Sequence, residues 1–316
     1  MLPRWLSSPS PTVGLEIAPR RVTAVSVARS RGGASVTAHA TEPIPAGAIA
    51  PVLNAHNIVD RAVVDAAVGR VLAAVGGPSR IGLVLPDSVA KVSLVRFDQV
   101  PAKASDYDAL IRWQVRKAVP FPLERAQLTW TDGVQLPDGG REAVVVLMRQ
   151  DIVEEYEAIC AAAGAHAGLV DLASFNLVNL VLLSDLAPAL TAAGDWLLVH
   201  VTPEYSTLAI VRGDRLVFYR NRLADAEGHL ADLVHQTAMY YEDRLGGTGF
   251  SRVIVAAGEP DHAEVRDLRI ALEGRLRSPV ETLDLRRTAT LTDRIDAAPD
   301  LLAALSAPVG LVLREA

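Results

Sequence analysis

Catalysis needs acids, bases, nucleophiles or metal ligands at workable spacing, and this chain offers few. Seven histidines stand at 39, 56, 166, 200, 229, 235 and 262, and none forms the His-x-x-x-His or Glu-containing pattern that sets zinc ligands on one face. No metal site is therefore expected. Cys160 is the sole cysteine, has no evident base, and lies among small apolar residues of a helix-like stretch, Glu154 to Ala163, which reads as a core thiol. No Gly-x-Ser-x-Gly elbow is present. The pairs Asp106/Asp108 and Glu154/Glu155 read as helix-start charges favoured by the macrodipole, not as acid/base dyads.

Other residues are suited to binding. Arg20 and Arg21 follow a strand and read either as ligands for a phosphate or acidic peptide, or as solvated arginines. Ser206 and Thr207 either face a ligand or serve only as β-formers. Arg112 and Arg116 sit one helical turn apart, flank Trp113 and adjoin Lys117, which makes either a basic-aromatic partner surface or a solvated helix face.

The elements that position these residues follow from composition and pattern. At 316 residues the chain is long enough for two domains or one two-lobed unit, and half of it is hydrophobic with few aromatics, which suits aliphatic α/β layers. A formal charge of −6 gives no overall attraction to nucleic acid or anionic lipid. The best candidate for a membrane helix, Leu177 to Leu190, is interrupted by Asn179, Ser184, Asp185 and Pro188. Met1 to Leu6 is too short for a signal peptide and runs into Ser/Pro-rich chain, so a flexible tail over 1–11 on a cytoplasmic protein is expected.

A repeat organises the rest. Strand-favouring residues run from Val13 to Ala28, turn at Arg31-Gly32-Gly33 and resume from Ala34 to Thr41. A second such hairpin runs from Trp196 to Val211, turns at Arg212-Gly213-Asp214 and returns through Leu216 to Tyr219. One offset of 184 residues carries Glu16-Ile17-Ala18-Pro19 onto His200-Val201-Thr202-Pro203 and Thr23 onto Thr207, so one supersecondary unit is used twice. Between the hairpins come a helix from Val59 to Val75, a strand from Ile81 to Leu85, a helix from about Ser105 to Val119 stopped by Pro120-Phe121-Pro122, and strands at Leu128–Thr131 and Ala143–Leu147. The expected division is a first lobe over 12–194 with an inserted subdomain at about 88–150, then a second lobe over 195–316.

Two strand–turn–strand loops in duplicated lobes, with a small-residue loop after the late strand Arg252 to Ala256, resemble the actin, Hsp70 and sugar-kinase superfamily. Within it the chain resembles the PilM family of type IV pilus assembly. The resemblance rests on Val13-Gly14-Leu15-Glu16-Ile17, Arg112-Trp113-Gln114 with Val119-Pro120-Phe121-Pro122-Leu123-Glu124, the helix Gln236 to Leu245, and Ala307-Pro308-Val309-Gly310-Leu311-Val312-Leu313-Arg314. The cytoplasmic part of the secretion protein GspL is a related form, but there a membrane helix follows; the ending at Ala316 favours the pilus form. The resemblance implies an actin-like, ribonuclease H-like α/β fold of two duplicated lobes, with a small α/β insert in the first and a missing or minimal lid subdomain in the second.

The resemblance also implies a nucleotide site, from which this chain departs. Glu16 stands for the first metal-holding Asp, and Ala18-Pro19 replaces Gly and a polar residue, followed by Arg20. His200 stands for the second Asp, with Thr202-Pro203 in the loop and Ser206 beyond it; imidazole is a poor Mg²⁺ ligand. In the adenosine region Gly258 alone remains where the family has more glycines. No cofactor is therefore expected, neither ATP nor Mg²⁺. The implied function is a non-enzymatic cytoplasmic scaffold at the inner membrane that binds the cytoplasmic tail of a PilN-like single-span protein, and self-association into a ring is compatible with it. Arg112, Trp113, Arg116 and Phe121 form the candidate partner surface. The alternative is an ATP-binding actin-like protein whose nucleotide state controls partner binding or polymerisation. A sugar kinase lacks a candidate catalytic carboxylate.

Overall fold

The computed structural model describes residues 11–314, apart from 31–32, 137–138, 188–193, 225, 227, 258–261, 293–294 and 296–297, and apart from the side chains of 262–264. The expected flexible tail lies outside the described residues except for Pro11, which is buried.

Two mixed sheets form the centre. In the first, β1 (Val13–Ala18) lies between β2 (Arg21–Ser30) and β4 (Arg80–Leu85), with β3 (Gly33–Pro43) beyond β2 and β8 (His166–Leu172) beyond β4. β1 and β4 read as nearly unbroken apolar runs because both of their faces are covered. In the second sheet β9 (Trp196–Val201) lies between β10 (Tyr205–Arg212) and β12 (Arg252–Ala257), flanked by β11 (Arg215–Leu223) and β13 (Val280–Thr282). Glu16 pairs with Thr23 across β1 and β2, and His200 pairs with Thr207 across β9 and β10. The 184-residue offset therefore maps one antiparallel register onto the other, which is what two copies of one unit require.

The insert is a three-stranded antiparallel sheet ordered β5 (Ala90–Phe97), β7 (Arg141–Arg149), β6 (Ala126–Gln135). Alternation along β7 divides its two faces: Val144 and Met148 join the core of the first sheet, whereas Ala143, Val145 and Leu147 pack with Ile111 and Val115 of α2 (Ala104–Val115). That helix ends at Val115, four residues before the expected Val119. Pro120 disfavours helical geometry in the residue before it, and the chain turns through Arg116–Ala118 instead.

Helices cover both sheets. α1 (Arg61–Ala74) is capped by Asp60, whose carboxylate accepts the Val63 N–H at 3.1 Å, and closes at Gly76 and Gly77, both at positive φ. α3 (Gln150–Ala162) and α4 (Ala173–Leu182) flank β8, while α5 (Leu230–Leu245) and α6 (His262–Leu276) flank β12. β11 ends at Leu223 and α5 starts at Leu230, which leaves no room for a lid subdomain.

The expectation that 195–316 all belongs to a second lobe fails beyond β13. β14 (Ala289–Leu291) pairs parallel to β3 in the first sheet, and α7 (Pro299–Leu313) buries Leu305, Val309 and Val312 against Val25, Val27 and Val36. The chain returns because α7 is apolar nearly all round and needs two partners, β1 with β2 on one side and α4 on the other. Close approach explains two glycines. A Cβ on Gly14 would lie 2.5 Å from the Pro308 carbonyl oxygen, and one on Gly310 would lie 2.1 Å from that of Asn176. Gly310→Ala should cost about 1–3 kcal/mol by forcing α7 off α4. Gly69→Ala, where nothing stands within 4 Å of the new methyl group, should be neutral or slightly stabilising. Denaturant melts of both variants test this.

Candidate functional site

The cleft between the sheets is built around one carboxylate that sequence reasoning did not single out. Pro86 ends β4 in extended geometry and Asp87 opens a 3-10 turn, which aims its side chain at the second sheet. Asp87 is 0% exposed. Its Oδ1 accepts the backbone N–H and the hydroxyl of Ser174, each at 2.9 Å, and its Oδ2 accepts the Thr207 hydroxyl at 2.7 Å and lies 3.1 Å from His200 Nδ1. Ser174 stands in the first turn of α4, where backbone donors are otherwise unsatisfied and the helix dipole favours a negative charge.

A second ring of donors supports the first. With the Ser174 proton committed to Asp87, the Tyr219 hydroxyl 3.0 Å away is the donor to Ser174, and Asn221 donates to Thr207 at 2.9 Å. Burial pushes the Tyr205 and Tyr219 phenols well above their ordinary range, and the Asp87 charge adds to the shift, so both stay neutral. His200 is 4% exposed, with the Tyr205 ring set edge-on to it at 5.6 Å. The imidazole at the second loop thus faces a carboxylate of the first sheet.

Both loops are closed by their own side chains. Glu16 is buried, and its carboxylate accepts from Arg21 at 3.1 Å. In the second loop Thr202 donates its hydroxyl to the Tyr205 carbonyl and accepts the Tyr205 N–H, each at 3.0 Å. Arg20 reaches across to Glu204 at 2.7 Å, so equivalent positions of the two repeats are joined by an ion pair. Neither Arg20 nor Arg21 is simply solvated. Pro19 and Pro203 sit at the two turns and supply no N–H; Ala18 is half-buried and Ser206 is buried within β10. Gly258 lies outside the described residues.

Beside the loops is a cavity of 420 Å³, lined among the described residues by Glu16, Arg21 and His200, by α6 and α7 and by the segment after β13. At the edge of the first sheet, Asp171 pairs with Arg314 beyond α7 and accepts the Leu172 N–H at 2.9 Å. Burial, partly opposed by Arg314, raises its carboxyl from an ordinary 3.8 to about 6.

The candidate partner residues lie elsewhere, on the insert. Trp113 is 67% exposed and Arg116 is exposed, while Arg112 is held to Asp108 at 2.7 Å, a carboxylate that also takes the Trp130 indole N–H at 3.0 Å. Phe121 is half-buried and packs partly against the insert core, so it is less open than Trp113. Cys160 is buried, and burial pushes its thiol up to about 12, which keeps it protonated.

Two duplicated sheets with the cleft between them, and an insert after the fourth strand, define a two-lobed protein of actin-like fold. The chain belongs to the type IV pilus assembly protein PilM family, whose model matches residues 14–243. Among solved structures, a PilM-PilN type IV pilus biogenesis complex superposes with a TM-score of 0.79 at 16% identity, covering 96% of this chain and 98% of that one. The cytoplasmic domain of EpsL, an inner-membrane component of the type II secretion system of Vibrio cholerae, matches with a TM-score of 0.50 at 8% identity over 96% and 93% of the two chains. The ethanolamine utilization protein EutJ from Carboxydothermus hydrogenoformans gives 0.51 at 11% identity over 98% and 90%. At these identities the superpositions show the fold. No helix among the described residues is long and apolar enough to cross a membrane.

Removing the Asp87 carboxylate leaves several buried donors unpaired, so Asp87→Ala should destabilise the fold by about 3–5 kcal/mol in a urea titration, and Asp87→Asn by less. The half-exposed Arg20–Glu204 pair should show a coupling of no more than about 1 kcal/mol in a double-mutant cycle. Because folded Asp171 holds its proton more tightly than the unfolded chain does, its contribution is complete below pH 3.8 and is lost as pH rises through about 6. Asp171→Asn should therefore flatten the stability difference between pH 4.5 and 7; an unchanged slope would refute the assignment.

Proposed function

We propose that the protein is a cytoplasmic scaffold of the pilus machinery that binds the cytoplasmic tail of a PilN-like single-span membrane protein, with a nucleotide site too altered for Mg-ATP. The observation that carries the second half is the closure of both loops by protein groups. Glu16 is held by Arg21, Thr202 by Tyr205, and the loops by Arg20–Glu204, so no carboxylate there is free to hold a hydrated cation. Among the described residues no group of three His, Cys, Asp or Glu side chains is placed to hold a metal. Lost donors and a lost metal ligand, at about 1.5–3 kcal/mol for each charge-assisted bond, remove most of the affinity a triphosphate would need.

Family membership supports the first half, as does the superposition on a structure that is itself a PilM-PilN complex. Within the chain, the exposed Trp113 with Arg112 and Arg116 offers an aromatic anchor ringed by cations. An extended tail docking in a groove beside the insert would gain main-chain hydrogen bonds for affinity and side-chain pockets for selectivity.

Calorimetric titration tests both halves on one sample. Mg-ATP should give no saturable heat, and a synthetic tail peptide should then bind. Trp113→Ala should weaken the peptide by about tenfold or more without changing the melting temperature. Saturable micromolar Mg-ATP binding would instead favour the nucleotide-controlled actin-like protein, and peptide affinity unchanged in Trp113→Ala would remove the insert surface from the reading.

A further inference from the structure

The insert sheet has two outer strands, and the fold treats them differently. β5 leans against β11 of the second lobe and carries the charges of Lys91 and Arg96. β6 has β7 on one side and no strand on the other. Among the described residues, no backbone hydrogen bond joins residues 127–131 to anything but β7. Gln127, Thr129 and Thr131 are exposed, whereas Leu128 and Trp130 are half-buried against the core under α2. The flat stretch ends at Asp132, where the pairing with β7 shifts register and the Arg215 guanidinium of the second lobe donates to the Asp132 carbonyl at 2.9 Å. An edge presents a row of unpaired N–H and C=O groups, which proteins blunt with lysine, proline, a bulge or a covering element. Residues 127–131 carry no charge, proline or glycine, and Thr129, Trp130 and Thr131 favour extended chain.

An edge of this kind fits another strand, and β6 is complementary to itself. Paired antiparallel about Thr129, two copies set Thr129 opposite Thr129, Leu128 opposite Trp130 and Gln127 opposite Thr131. No like charges meet, and the Leu128 to Trp130 contact, an aliphatic side chain against an aromatic one, is made twice. At each end Arg125 of one copy, exposed and without an ion pair among the described residues, comes beside Asp132 of the other, which is also exposed. We propose that β6 is a homodimer interface, through which two copies of this chain join their three-stranded inserts edge to edge over residues 127–131. The pairing closes at two copies, because the other outer strand, β5, lies against β11. So short an edge makes a small interface, so the dimer is reversible and forms where copies are brought close together.

Sedimentation of the intact protein from about 10 µM to 1 mM should show a monomer–dimer equilibrium. Thr129→Lys and Thr129→Glu each set like charges opposite one another at the two-fold axis. Either alone should weaken the dimer roughly tenfold or more, and an equimolar mixture of the two should restore it. Because Thr129 is exposed, both variants should melt with the parent protein. Mild oxidation of Thr129→Cys should give a disulfide-linked dimer, since directly opposed residues lie within disulfide reach, whereas Gln135→Cys, beyond the register shift, should not; the native thiol, Cys160, is buried. A monomer at every concentration, a dimer unweakened by either charge, or a mixture that stays monomeric overturns the proposal. Should a charge variant melt early, the cysteines decide: no cross-link at 129, or one equally strong at 135, overturns it. So does loss of tail-peptide binding in Thr129→Lys when the parent chain never dimerises, which would assign the edge to the tail.

Discussion

A carboxylate taken wholly out of water must have its lone pairs filled, and at Asp87 the partners come from both halves of the molecule. Ser174 is on the first lobe, whereas His200 and Thr207 are on the second. Satisfying one side chain therefore fixes the distance between two sheets. Tyr219 and Asn221 extend the network along β11, so the third strand of the second hairpin is tied into the same arrangement. A network whose members are all satisfied specifies a single geometry, because each alternative leaves a donor or acceptor bare in a region of low dielectric.

The consequence is a cleft whose two lobes are bridged by protein groups beside the cavity. In an actin-like architecture two loops face each other across the cleft, and a bound phosphate group is a natural bridge between them. Here the bridge is Arg20 to Glu204 on the outside and Asp87 to His200 within. Both unions join residues of the two repeats or the lobes that carry them. Trp113 stands exposed on the insert, and α7 returns to pack against β1 and β2 of the first sheet.

Much of this was legible in the residues. The repeat showed because strands have a period of two and a proline stands at the same place in each turn, so Pro19 and Pro203 set the offset that β1–β2 and β9–β10 then display in register. The insert showed through its helix and proline stop, although Pro120 ended the helix a turn earlier than its apolar spacing indicated. Glu16 and His200 were singled out through the repeat and the family resemblance, but their partners were not. Arg20 and Arg21 were read as ligands or as solvated, and the structure pairs them with Glu204 and Glu16.

What the sequence by itself determined is the local content: apolar runs that must be buried strands, and glycines and prolines that must be turns. What only the tertiary structure decided is which groups meet. Asp87 follows a proline and looks like any turn residue; its partners are 87, 113 and 120 residues away. β14 is three residues long and joins the first sheet only because α7 carries it there. Local pattern follows from the chain's own periodicity, whereas a buried carboxylate's ligands depend on the distance at which two independently formed sheets come to rest.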